Sequence, residues 1–311
     1  MEFFLQTSAW ADFQRSLGRT VHQQSGPGWS FLAIEEKNPA GKVLYAPYGP
    51  VADTLAAFDD AVAALRALAL KQRAVFVRME PVDAGFPAAD AGTHLRARGL
   101  QPAPSNQQPE LSWIVDLEGD FKDVLAGMKP TNRNLYRNIH KKGVTFRSSQ
   151  DPEEISILLH FLHLTAARNG FKPQSDDYLG SVARSLLPAG AGTLFVAELE
   201  GEPIAAALAY DSADTRTYAH AALDDAHRKL SAGIPLLVTL MADAKEKGLK
   251  YVDLWGVAPE DQPDHKWAGF TAFKKSFGGS EVAYPGTWDL PVNKLRYGAY
   301  QLARKLREKL R

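Results

Sequence analysis

The sequence predicts a mixed α/β (α+β) fold built from two units of similar design. Three observations carry this expectation. The chain has 311 residues, roughly two domain lengths. Each half runs through the same order of patterns: a helix, antiparallel strands, a long helix and a buried strand. The composition, 45% hydrophobic and 23% charged, supplies apolar mass for an ordinary globular core. No residue-level repeat is visible, so the duplication rests on element order alone.

In the first half, Ser8 followed by Trp10, Phe13 and Leu17, then Gly18, predicts a short capped helix with one apolar stripe. WSFLAIEE and KVLYAPYGP predict two strands around the turn at Lys37 to Gly41, the second ended by Pro47, Gly49 and Pro50. From Asp53 to Arg73 an Ala/Leu-rich run predicts a long helix, and AVFVRM after it suits a buried strand. A polar helix near Thr93 to Arg98 stops at Gly99, LSWIVDL is the next strand, and the segment to Val144 is basic and helical.

The second half starts on Asp151, Pro152, Glu153 and Glu154: a cap, proline in the first turn and acids near the positive end of the dipole. Ile155, Leu158, Leu159, Leu162 and Ala166 follow at helical spacing. TLFVAELE, EPIAAALAY and TRTYAHAAL predict strands, with Glu200-Gly201 as a hairpin turn. A helix across Ile234 to Lys247 stops at Gly248, and KYVDLWG is a strand ending in a loop.

Several chemistries find no support. The chain has no cysteine, which removes disulfides, thiolate nucleophiles and Cys-ligated zinc. No His-Glu-x-x-His occurs, and His220, Asp224, Asp225 and His227 lack a recognised ligand spacing, so no metal is expected. Gly-x-Ser-x-Gly, the dinucleotide fingerprint and the P-loop are absent too. MEFFLQTSAW lacks the basic and apolar regions of an export signal, and no window is long and apolar enough to span a bilayer; a cytoplasmic protein is expected.

The formal net charge of zero hides two cationic blocks. Residues 121–150 carry seven cations against Asp123, and residues 291–311 carry seven against Glu308, +6 each on an otherwise acidic chain. Such blocks either attract a polyanion or form solvated helix faces. On the last helix, Leu295, Ala299, Leu302, Leu306 and Leu310 share one stripe with cations around it. That stripe fits a groove of the first domain, with tRNA or an anionic lipid surface as the other candidate contacts; docking is the expectation.

The strand, hairpin and helix order of the second half resembles that of an N-acetyltransferase-like (GNAT) domain. Where that superfamily places a Gly-rich pyrophosphate loop, this chain has Arg228-Lys229-Leu230-Ser231-Ala232-Gly233, then Ile234-Pro235. Ser231 stands in place of a glycine and Pro235 removes an amide donor.

The densest stretch is YVDLWGVAP, HKWAGFTAFKKSFGG and YPGTWDLP, between residues 251 and 291. Together with TSAWADFQRSLG, YAPYGP, MKPTNRNLYRNIHKKGV, TAARNGF, LFVAELEGEPIAAALAY and TYAHAAL, these pieces form a collinear set over most of the chain. The set resembles the Fem family of peptidoglycan interpeptide-bridge aminoacyltransferases. The coiled-coil arm of some relatives has no counterpart here, since no sustained heptad run occurs.

The resemblance implies two tandem GNAT-like domains: residues 1–145 completed by a C-terminal helix at 291–311, and residues 146–290. It implies transfer of an aminoacyl group from tRNA to a primary amine on the stem peptide of a peptidoglycan precursor, UDP-linked (UDP-MurNAc-peptide) or lipid-linked (lipid II), without a cofactor, by a monomer that can touch the inner membrane face. By the same resemblance Phe273 and Lys274 face the aminoacyl ester and the tRNA terminus. Arg168 and Tyr218 fall where relatives bind the precursor's diphosphate or sugar, and Gln14 replaces a lysine that approaches the same ligand. Asp253 and His265 either orient an amine or relay a proton, or make structural hydrogen bonds. Lys129, Arg133, Arg137, Lys141 and Lys142 are the candidates for tracking tRNA phosphates. Two rival readings use the same residues: an acyl-CoA-dependent N-acyltransferase acting on a small amine, and a noncatalytic RNA- or lipid-binding protein.

Overall fold

The computed structural model describes residues 1–82, 85, 90–170, 172–262, 264–265 and 267–309, with the side chains of 169, 308 and 309 excepted. Phe171, Lys266, Leu310 and Arg311 of the sequence patterns above lie outside the described residues.

Two compact units form. The first comprises residues 5–110 with 283–311. It begins with α1 (Ser8–Ser16), β1 (Val21–Gly26), β2 (Trp29–Asn38), β3 (Gly41–Ala46) and β4 (Val51–Ala52). Thr7 rather than Ser8 caps α1, its hydroxyl accepting the Trp10 N–H at 3.2 Å. There follow α2 (Leu55–Lys71), β5 (Phe76–Met79), α3 (Ala91–Ala97) and β6 (Gln101–Pro102).

The second unit comprises residues 1–4 with 111–282. It contains β7 (Leu111–Asp116), α4 (Phe121–Gly127), α5 (Pro130–Asn138), β8 (Val144–Ser149), α6 (Ile155–Asn169) and α7 (Asp176–Leu186). It continues with β9 (Gly192–Leu199), β10 (Glu202–Asp211), β11 (Thr215–Leu223), α8 (Gly233–Glu246), β12 (Tyr251–Gly256), α9 (Ala268–Lys275) and β13 (Ser280–Ala283). The chain then returns to the first unit as β14 (Trp288–Pro291) and α10 (Lys294–Lys309).

The first sheet runs β1-β2-β3-β5-β14-β6, with β4 on β2, and the second runs β13-β7-β12-β11-β10-β9-β8. Each contains a parallel pair joined by a helical crossover: β3-α2-β5 in the first, β11-α8-β12 in the second. A parallel pair needs such a long connection, which is why in each half a long apolar helix precedes a buried strand. The repeated grammar of the sequence is therefore a repeated topology.

The unit limits differ from the expected 1–145 with 291–311 and 146–290 in where the chain passes from one unit to the other. β7 follows β6 in the chain yet enters the second sheet beside β12; β14 follows β13 yet enters the first sheet between β5 and β6. Each sheet thus takes a strand from the other half of the chain. LSWIVDL reads correctly as a strand, but period-2 patterning carries no information about which sheet accepts it.

α10 is held in the first unit by aromatic contacts on one face. Tyr297 meets Phe76 edge-on at 5.3 Å and Tyr300 stacks on it at 5.7 Å. The Tyr297 hydroxyl donates to Asp289 at 3.2 Å, and Asp289 is paired with Arg78 at 2.8 Å. The expected docking stripe is not the docked one. Leu295, Leu302 and Leu306 are 88%, 61% and 54% exposed, and Ala299 is exposed beside them. Two aromatic rings bury more area than the smaller leucine contacts offer, and a hydroxyl adds a buried hydrogen bond.

Candidate active site

The second unit opens where its parallel pair separates. β11 and β12 are in register only at Thr215 with Tyr251, Arg216 with Val252 and Thr217 with Asp253. Beyond those positions neither strand has a ladder partner on that side, so the sheet splays. Two irregularities sit at the opening. β10 and β11 slip register between Leu208 and Ala209, and β12 bulges against β7 between Asp253 and Gly256. In that bulge Trp255 adopts φ +68°, a left-handed conformation costing a non-glycine residue roughly 1 kcal/mol or more.

The bulge turns backbone groups toward α9. The Asp253 carboxylate accepts the Trp255 N–H at 2.7 Å, and the Gly256 carbonyl accepts the Lys274 ammonium at 2.5 Å. Thr271, one turn before Lys274, accepts the Ala258 N–H at 2.9 Å through its hydroxyl, tying α9 to the strand exit. At the C-terminal end of α9, the buried Asn132 of α5 donates to the Ser276 hydroxyl at 2.8 Å. The helix is therefore held at its middle and at its C-terminal end, which fixes Lys274 against β12.

Burial dominates the electrostatics. It pushes the Asp253 carboxyl up to about 6, opposed by the Trp255 N–H and the nearby Lys274 charge. The same desolvation pulls Lys274 down to about 8, opposed by Asp253. The Ser112 hydroxyl on β7 lies close enough to favour the Asp253 anion but makes no hydrogen bond of standard geometry. Near pH 7 the pair is carboxylate and ammonium, both held at a cost to stability.

The sign of that cost is testable. A raised carboxyl pKa means the folded state prefers the acid, so its stabilisation is complete below the ordinary value of 3.8 and is lost as pH rises through about 6. Asp253→Asn removes this titration. Relative to the variant, the wild-type protein is expected to lose on the order of 3 kcal/mol between pH 3.5 and 7 in denaturant melts. Parallel stability curves for the two proteins would show that Asp253 is not desolvated.

The other expected site residues separate into distinct settings. Tyr218 is half-buried and lies one residue past the last paired position of the splay; desolvation raises its phenol well above the ordinary range. Phe273 packs edge-on against Phe277 at 5.0 Å, and its carbonyl already accepts the Ser276 hydroxyl at 2.5 Å and the Ser276 N–H at 3.1 Å. His265 uses Nδ1 to accept the Trp267 N–H at 3.3 Å and meets that ring edge-on, a role at the start of α9. Arg168, at the end of α6, forms an ion pair with Asp225 in the turn after β11. Gln14 belongs to the first unit, where it is buried and accepts the Arg19 guanidinium at 2.8 Å.

Of the basic segment, Lys129, Arg137, Lys141 and Lys142 are exposed. Arg133 is half-buried and donates to the carbonyls of Ala126 at 2.6 Å and Met128 at 3.2 Å, closing the end of α4. Sequence reading passed over Gly256, whose carbonyl is visible as a partner only once the bulge is known. Ser231, which the sequence sets in place of a glycine, takes the left-handed φ of +52° that a glycine would favour. His220 on β11, weighed in the sequence only as a metal ligand, is held neutral by burial with its pKa lowered to about 4.

Comparisons with known proteins agree with this architecture. A family model described as an acetyltransferase (GNAT) domain matches residues 129–267. The crystal structure of FemX superposes with a TM-score of 0.84 at 19% identity, covering 96% of this chain and 94% of that one. The C-terminal domain (DUF2156) of a putative lysylphosphatidylglycerol synthetase from Agrobacterium fabrum gives 0.60 at 17% identity, covering 97% of this chain and 93% of that one. L-PGS from Bacillus licheniformis gives 0.59 at 15% identity, covering 93% and 90%. No curated protein sequence matches significantly. The fold is thus a tandem GNAT-like fold shared with FemX over nearly the whole chain.

Proposed function

We propose that the chain is a compact, armless Fem-type aminoacyltransferase that moves an aminoacyl group from tRNA to a primary amine on the stem peptide of a peptidoglycan precursor. The observation that carries this reading is Lys274. Its ammonium is anchored on the Gly256 carbonyl beside buried Asp253, at the mouth of a splayed parallel pair, in the fold shared with FemX.

The reaction forms an amide and breaks an ester. The neutral amine attacks the ester carbonyl, negative charge develops on oxygen, and the amine proton ends on the released ribose hydroxyl. A cation fixed before the reaction stabilises that charge without reorganisation. Lys274 fills this role and holds the terminal phosphate of the donor. Asp253 is a positioning residue: its charge favours the ammonium form that burial opposes. Exposed Lys129, Arg137, Lys141 and Lys142 supply a salt-sensitive attraction for the tRNA backbone. Arg168 and Tyr218 hold the diphosphate or sugar of the precursor.

The GNAT match makes acyl-CoA transfer the competing reading. Ser231 and Pro235 at the start of α8 weigh against it, because a pyrophosphate cradle draws on free amide donors there. The deciding experiment supplies purified protein with labelled aminoacyl-tRNA or with acetyl-CoA, against UDP-linked muropeptide, lipid-linked muropeptide and phosphatidylglycerol. Amide formation from aminoacyl-tRNA onto a muropeptide is expected. Transfer from acetyl-CoA alone would overturn the proposal, and tRNA binding without transfer would assign a noncatalytic role.

A narrower outcome concerns Arg168. Its substitution by alanine is expected to weaken precursor binding about tenfold or more, the scale of a charge-assisted hydrogen bond to phosphate. Calorimetry showing unchanged affinity would leave Arg168 a structural role, including its ion pair with Asp225.

A further inference from the structure

α10 has two opposed faces, and the first unit uses only one. At about 100° per residue, docked Tyr297, Tyr300, Gln301 and Arg304 centre on the side opposite Leu295, Ala299, Leu302 and Leu306. The leucines stand out into solvent at 88%, 61% and 54% exposure, a far larger outlay of apolar surface than single surface residues make. Cations border them on both sides. Lys294 and Lys305 lie along one edge of the stripe and Arg296 and Arg307 along the other, all four exposed. The sequence of α10 carries one acid, Glu308, against six cations.

A cavity of about 490 Å³ adjoins the arginine edge, lined among others by Pro39, Ala40, Arg296, Tyr300 and Arg307. It joins cationic side chains to apolar floor, the combination a phosphate headgroup with its glycerol backbone requires. No helix among the described residues is long and apolar enough to cross a membrane. An apolar stripe with cations on both flanks, by contrast, lies in the plane of an interface: the leucines enter the acyl boundary and the long basic side chains reach back to phosphates.

We propose that the exposed face of α10 is a docking surface for an anionic phospholipid bilayer. The charge pattern selects this occupant. A second copy of the chain would bring two sets of like charges together along both edges of the stripe. A nucleic acid would use the cations and leave three leucines in water. This surface belongs to the first unit and does not depend on the transfer chemistry of the second.

The test uses the full chain in vesicle co-sedimentation, comparing phosphatidylglycerol/phosphatidylcholine vesicles with phosphatidylcholine alone. Partition into the anionic vesicles is expected, weakening as salt is raised. Two double variants separate the contributions: Leu302→Gln with Leu306→Gln, and Arg296→Gln with Arg307→Gln. Each is expected to lower partition roughly tenfold or more, from lost apolar burial and from lost attraction respectively. Because these side chains are exposed, melting temperatures should match wild type. Absence of partition into anionic vesicles overturns the proposal, as does partition indifferent to the leucine pair. Self-association in sedimentation velocity that vanishes with the leucine pair, without vesicle binding, assigns the face to a second copy instead. Loss of tRNA retention in the arginine pair with vesicle partition unchanged assigns it to RNA.

Discussion

Lys274→Met slows aminoacyl transfer by roughly 10²–10³-fold while leaving precursor affinity within a factor of about two. The expectation follows from what the ammonium does in the resting protein. It is anchored at 2.5 Å to the Gly256 carbonyl on a helix held at its middle and its C-terminal end, and burial has already lowered its pKa to about 8. A charge held in a low-dielectric setting acts most strongly on charge that appears only in the transition state. Methionine keeps the length and apolar stem and removes that charge. Single-turnover measurements with aminoacyl-tRNA separate the step from binding. Equal losses in rate and affinity would instead make Lys274 a ground-state contact. Lys274→Arg tests geometry: it retains the charge but not the compact point donor that fits the Gly256 carbonyl, so partial recovery is expected.

Gly279→Ala destabilises the second unit by about 3 kcal/mol or more. Gly279 sits at φ +87°, and a Cβ placed there would lie 2.2 Å from the Ile114 carbonyl oxygen on β7. Backbone rather than a flexible side chain stands in the way, so the sheet itself must shift. The preceding glycine contributes its carbonyl to Trp113 Nε1 at 2.6 Å, so this turn brings the end of α9 against β7. Displacing it also moves Lys274. Gly119→Ala is the control, since nothing lies within 4 Å of its added carbon. Urea midpoints that fall equally for both variants would remove the close approach as the cause.

Much of this architecture is legible in the chain. The Ala/Leu run from Asp53 and the helix across Ile234 announce their crossovers because each precedes a buried apolar strand, and the structure places α2 and α8 there. The order of short motifs leads to the tandem GNAT-like fold. Lys274 was legible through its place in HKWAGFTAFKKSFGG. What escaped were features whose partners are distant. α7, with Ser175 accepting the Tyr178 N–H, carries an ordinary cap and stripe but no neighbouring landmark. The leucines of α10 look like a docking face by periodicity, yet Tyr297 and Tyr300 took that role through Phe76.

The sequence by itself determined the elements, their repeated order, the two cationic blocks hidden in a neutral total and the aromatic, lysine-rich segment that becomes α9. These are local properties: periodicity, caps, composition and motif order are written within a few residues of one another. Only the tertiary structure decided which sheet receives β7 and which receives β14, which face of α10 is buried, and that Asp253 and Lys274 share a desolvated setting while Arg168, His265 and Gln14 are engaged with other partners. Those outcomes depend on long-range burial and on backbone groups, such as the Gly256 carbonyl, that carry no side-chain signature. A side chain's identity sets what chemistry it can perform; the surroundings the fold provides set its charge and what it can reach.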